Sequence, residues 1–153
     1  MPDNVSLESL FPEFFFAAEA DRFLQDLPMG SIVNQLRARR ISKVKIVPML
    51  TAGGIGIGED NSFYVLLLDV STLLEKAESL SHEIGHTFHF ELAGKVPVDR
   101  INQAEISDEV FDRIESFCTE FSRRWLIAND RGSVVHRVKN MLHILDQFGH
   151  PLQ

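Results

Sequence analysis

From Leu7 to about Leu27, apolar side chains recur at helical intervals (Leu7, Leu10, Phe11, Phe14, Phe15, Ala18, Phe23, Leu24) with acidic residues between them. The spacing predicts one acidic amphipathic helix with Pro12 in or near its first turn, where a missing N–H does no harm, ended by Pro28 and Gly30. Ser31 to Arg40 reads as a shorter helix finishing in Arg37, Arg39 and Arg40, cations that suit the negative end of a helix dipole. Ile41 to Met49 alternates and is rich in β-branched residues, which predicts a strand closed by Pro48. Phe63 to Val70 is almost continuously apolar and reads as a second, more deeply buried strand. The glycine-rich stretch between them, Thr51 to Asn61, lacks the Gly-Lys-Ser/Thr ending of a phosphate loop and has Glu59 where a dinucleotide fingerprint needs glycine. A hairpin connection, or a third short strand around Ile55 and Ile57, is expected instead.

Thr72 and Glu75 have capping-box spacing, and helical periodicity then holds to about Leu92 before Gly94 and Pro97 stop it. A second amphipathic run extends from about Ala104 to Ile127. Asn129-Asp130-Arg131-Gly132 breaks it, and Val134 to Phe148 forms a last helix ended by Gly149 and Pro151. Runs of one element type indicate an α+β fold, helices dominant, with a small sheet of two or three strands packed on the helix that starts near Thr72. No repeat or linker divides the chain, so one domain over 1–153 is expected.

Composition narrows the partners. A chain of 153 residues with 44% hydrophobic and 24% charged side chains is of ordinary globular make-up. Its formal charge of −7 would be repelled by a phosphate backbone, which argues against direct nucleic-acid binding. The lone Cys118 cannot form an internal disulfide. No apolar run reaches the roughly 18 residues a membrane span needs, and Met1-Pro2-Asp3-Asn4 does not open a secretory signal. A cytoplasmic location away from the membrane is the expectation.

The chemistry concentrates in His82-Glu83-Ile84-Gly85-His86. On a helix, residues four apart lie one turn above each other, so both imidazoles can reach one Zn²⁺ while Glu83, rotated by about 100°, can approach its water. With six histidines in the chain, chance would give such a pentapeptide roughly 0.02 times. Leu73, Ala77, Leu80, Ile84 and Phe88 mark the apolar back of this helix, and the two histidines face away from it. They therefore face either water or a second element that brings a ligand. His89 shares their face but lies about 10 Å along the axis from His82, too far to share the ion. It is expected to support a ligand, to line a cleft or, most simply, to sit at the surface.

A catalytic zinc takes three protein ligands and keeps a position for water. Leu92 excludes the extended pattern in which a third histidine would stand there. In the following helix Phe111, Ile114, Phe117, Cys118, Phe121 and Trp125 form an apolar stripe. Glu109 and Glu120 point to the opposite side, towards solvent, whereas Glu115 lies on the stripe's flank, where a carboxylate needs a compensating cation. Zinc would serve, with Asp108 as the next candidate; pairing of the flank carboxylate with Arg or Lys is the structural alternative.

The combination of His-Glu-x-Gly-His with Glu115-Ser116-Phe117-Cys118-Thr119-Glu120-Phe121-Ser122 resembles the gluzincin class, and specifically the ImmA/IrrE-like metallopeptidases. Their second motif is commonly Glu-x-x-Ala-Asn-x-Phe-Ala; Cys118 and Ser122 stand at its small positions, Phe121 at its aromatic one and Thr119 in place of Asn. The resemblance spans about Ser71 to Ile127. It implies a zincin-like fold, Zn²⁺ held by His82, His86 and Glu115, and Glu83 as the catalytic acid and base. It further implies a protein or peptide substrate, with a DNA-binding repressor on a separate polypeptide as the candidate. Tyr64, His89, His136 and His143 are candidate donors to the oxyanion. The rival expectations are a zinc-stabilised regulatory or binding module without proteolysis, and a helical protein with no metal.

Overall fold

The computed structural model describes residues 5–6, 19–28, 31–48, 51, 53–58, 60, 62–91, 101–102 and 108–148. β-branched and aromatic runs form three strands, β2 (Ile41–Val47), β3 (Gly53–Ile57) and β4 (Phe63–Leu68), joined in the order β2-β4-β3. β4 is central, parallel to β2 and antiparallel to β3. It is also the most apolar strand: Phe63, Val65 and Leu67 on one face are fully buried, and Tyr64, Leu66 and Leu68 on the other are partly buried. The glycine-rich stretch is thus a strand, with Gly53, Ile55 and Ile57 opposite Leu67, Val65 and Phe63. A two-residue parallel pair, β1 (Val5–Ser6) with β5 (Ile101–Asn102), lies apart from this sheet.

Among the described residues the helices are α1 (Ala20–Leu24), α2 (Ile32–Ala38), α3 (Leu73–Glu91), α4 (Asp108–Ala128) and α5 (Arg131–Phe148). The predicted capping box starts α3: the Thr72 amide donates to Glu75 Oε1 (3.0 Å) and the Glu75 amide to Thr72 Oγ1 (3.1 Å). Lys76 Nζ donates to the carbonyls of Asp69 and Ser71, which closes the turn out of β4. α3 then lies between the sheet and α4. Ala77, Leu80 and Ile84 are fully buried, and so are Phe117, Phe121 and Trp125 of α4. Phe23 of α1 joins this core, with ring centroids 5.1 Å from Phe88 and 5.3 Å from Phe117. The architecture is therefore α+β, dominated by helices and carrying a small three-stranded sheet.

Several boundaries differ from expectation. The α-helix predicted over Leu7–Leu27 is observed only as Ala20–Leu24; residues 7–18, with Pro12, lie outside the described part, as do Gly94, Pro97, 104–107, Gly149 and Pro151. The last helix starts at Arg131, three residues early, because Asp130 takes a left-handed backbone (φ 61°) and turns the chain within one residue. Asn129 is more than a breaker. Its Oδ1 accepts from Gln35 Nε2 (2.8 Å), whose Oε1 accepts from Trp125 Nε1 (2.7 Å), so a buried polar chain joins α2 to α4 and the start of α5. No helix among the described residues is long and apolar enough to cross a membrane.

Candidate metal centre

The site is built where α3 crosses α4. Gly85 makes the crossing close: a Cβ there would stand 3.2 Å from Cys118 Cα and 3.3 Å from its Sγ. One turn of α3 presents His82 and His86, with ring centroids 5.0 Å apart. From α4, one turn before Cys118, Glu115 spans both rings, Oε2 at 2.9 Å from His82 Nε2 and Oε1 at 3.3 Å from His86 Nε2. The sequence thus places one carboxylate and two imidazoles together from separate helices, at a rim where Glu115 remains 36% exposed. Ligands on a tetrahedral zinc at its usual bond lengths stand about 3.3 to 3.6 Å apart; the His86–Glu115 separation of 3.3 Å falls in that range, and the His82–Glu115 contact of 2.9 Å is shorter. His82, His86 and Cys118 also form a group that could hold a metal ion, their ligand atoms lying within 4.8 Å of one another. Cys118 is fully buried, and burial, then the nearby Glu115 and Glu83 carboxylates, push its thiol well above the usual range.

Glu83 is 7% exposed and opens onto the same cleft, which holds about 850 Å³. Burial, aided by the charge of Glu115 and opposed by His86, raises its carboxyl to about 7. β3 forms the facing wall: a Cβ at Gly53 would meet Ser79 Cβ at 3.2 Å and Glu83 Oε1 at 3.6 Å. Glu115 is held below the usual carboxylate range, chiefly by the hydrogen bond from His86, against its own partial burial. Burial, and then the neighbouring His86, lower His82.

The expectation that the histidines face away from the apolar back of α3 holds, and the element opposite them is α4. Among the other carboxylates, Asp108 and Glu109 lie exposed in the first turn of α4. Glu120 is partly buried rather than solvent-directed and accepts from Arg123 and Arg124. His89 departs from the simplest expectation of a surface position: it is 3% exposed, with Nε2 2.8 Å from Nδ1 of His86. Of the remaining oxyanion candidates, Tyr64 shares the sheet face of Gly56, opposite to that of Gly53, and His136 is exposed on α5 away from the cleft. The side chain of His143 lies outside the described residues. Phe111 is 53% exposed and lines the cleft, although its spacing put it in the buried stripe; it sits in the first turn of α4, ahead of the aromatic core. Arg123 and Arg131 were not singled out by sequence and line the cleft as well.

Comparison with protein-family models, curated proteins and solved structures gives no match to this chain.

Proposed function

We propose that the protein is a zinc-dependent metallopeptidase of zincin-like, gluzincin type, with His82, His86 and Glu115 holding the ion and Glu83 as catalytic acid and base. The carrying observation is the two-oxygen approach of Glu115 to the Nε2 atoms of His82 and His86, at 2.9 and 3.3 Å. Bound zinc would supply a Lewis acid and an activated water. Glu83 accepts a proton from the attacking water and returns it to the leaving amine, a double role that suits a buried carboxyl titrating near neutrality. An extended peptide can pair with β3, at the edge of the sheet and against the site. A DNA-binding repressor remains the candidate substrate through the motif resemblance, and a formal charge of −7 complements a basic partner.

A second reading, a closed zinc site that stabilises a binding module, draws on the proximity of Cys118 to both histidines. The carboxylate is favoured as third ligand because it already approaches both imidazoles, whereas the Cys118 thiol is buried where its charged form is disfavoured. Metal analysis with two variants tests both. Glu83→Gln should keep one zinc per chain and lose cleavage of candidate repressors and peptides by about 10²-fold or more; Cys118→Ala should keep both zinc and cleavage. Loss of zinc in Cys118→Ala, or unchanged cleavage in Glu83→Gln, would overturn the peptidase reading. Unchanged cleavage with proline in β3, at a residue whose N–H faces away from β4, would remove the strand-pairing step.

A further inference from the structure

His86 uses both ring nitrogens: Nε2 faces Glu115 Oε1 at 3.3 Å and Nδ1 faces His89 Nε2 at 2.8 Å. A neutral imidazole has one N–H and one lone pair, so across that short contact one ring donates and the other accepts, and the two tautomers are coupled. We propose that His89 is a positioning residue for the metal centre: its Nε2 accepts the Nδ1 proton of His86 and thereby turns the Nε2 lone pair of His86 towards the ion. This rests on the metal reading above. His89 is well placed for the task because it is itself held still. It is 3% exposed, packed at 5.0 Å and nearly perpendicular to the His86 ring, and 4.2 Å from the ring of Phe90.

Ligating histidines usually give their second N–H to a carboxylate, a carbonyl or water. A buried imidazole in that place orients the ligand without adding negative charge to the centre. The relay runs one way with the ion and the other without it. Glu115 as a carboxylate only accepts, so in metal-free protein it favours a proton on His86 Nε2, and His89 Nε2–H then donates to His86 Nδ1. With zinc on His86 Nε2, the His86 proton lies on Nδ1 and the His89 proton on its own Nδ1. Each ring carries one proton before and after, so the exchange leaves the charge of both unchanged.

The test combines ¹⁵N NMR of the histidine side chains with zinc-affinity measurement by chelator competition, on wild type, His89→Gln and His89→Phe. Zinc should move both His86 and His89 from the Nε2–H to the Nδ1–H form in wild type. Gln, whose amide oxygen can accept near the position of Nε2, should hold zinc within about threefold of wild type, and Phe should weaken it by about 10- to 100-fold. A role in packing alone predicts that Phe matches or exceeds Gln in metal-free thermal stability and leaves zinc affinity unchanged. Equal affinity in all three proteins, or a zinc-loaded wild type with no proton on His86 Nδ1, would overturn the proposal; the second readout stands even if His89→Phe fails to fold. A wild type that takes up no zinc overturns the metallopeptidase reading and this proposal together, whereas tight zinc in wild type and in His89→Phe alike overturns this proposal alone.

Discussion

Glu115 is a flank residue of α4 whose two oxygens each meet an imidazole of α3, so truncating it should act on metal before it acts on folding. Glu115→Ala is expected to weaken zinc by more than the roughly 10- to 100-fold typical of a residue that only supports a ligand, as chelator competition would show. Unchanged affinity would move the third ligand to Cys118. Glu120, five residues on, accepts from two arginines of its own helix. Hydrogen bonds from Arg123 and Arg124 hold its carboxyl at about 2, below the usual 4.5. A folded-state pKa below the unfolded one gives stability that is present above about 4.5 and lost as pH falls through about 2. Because the pair sits at the surface within reach of solvent, Glu120→Gln should cost less than about 1 kcal/mol at pH 7 and progressively less as pH falls towards about 2, measured as urea midpoints. Helical spacing made Glu115 legible because an angle along one helix is enough to put a carboxylate on the flank of a buried stripe. The same reasoning misplaced His89 and Phe111, since an angle does not say what stands opposite. His89 lies on a face that proved to be covered, and Phe111 is exposed in the first turn of α4.

At the scale of elements, the centre depends on how closely α3 and α4 cross. Gly85 faces the backbone of Cys118, which cannot rotate out of the way as a side-chain tip would. Gly85→Ala should therefore push the helices apart by a few tenths of an ångström, destabilise the fold by about 1–3 kcal/mol and lower zinc affinity more than Ala at an exposed α3 position. A stable variant with wild-type zinc binding would show that the crossing has slack. The chain from Gln35 to Trp125 and Asn129 fixes a different junction, that of α2 with α4 and α5. Gln35→Leu would leave Trp125 Nε1 and Asn129 Oδ1 buried without that partner, at about 1–3 kcal/mol for each group, readable as a shifted denaturation midpoint. Of these junctions the sequence disclosed little. Capping boxes, strand alternation and breakers are local signals and gave α3, β2 and β4 to within two residues. Gly53 and Gly85, by contrast, matter for what approaches them from far along the chain, and a glycine seen in sequence does not name its neighbour.

For the molecule as a whole, α3 and α4 belong to the same buried core, so a metal bound across them would stabilise the entire fold rather than a loop. An unfolded chain separates His86 from Glu115 by 28 residues and holds no preformed site, so binding free energy becomes folding free energy. At a hundredfold excess of free zinc over its dissociation constant that linkage contributes about 2.7 kcal/mol. For a domain of this size the corresponding rise in melting temperature is roughly 5 to 10 °C. Calorimetry with and without a chelator should show that interval in wild type, preserved in Glu83→Gln, which keeps all three ligands, and absent in His82→Ala, which removes one. If chelator leaves wild type unmoved, or if His82→Ala responds to zinc as wild type does, the two imidazoles and the carboxylate hold no ion. The contacts of 2.9 and 3.3 Å at Glu115 would then be an ordinary ion pair between helices.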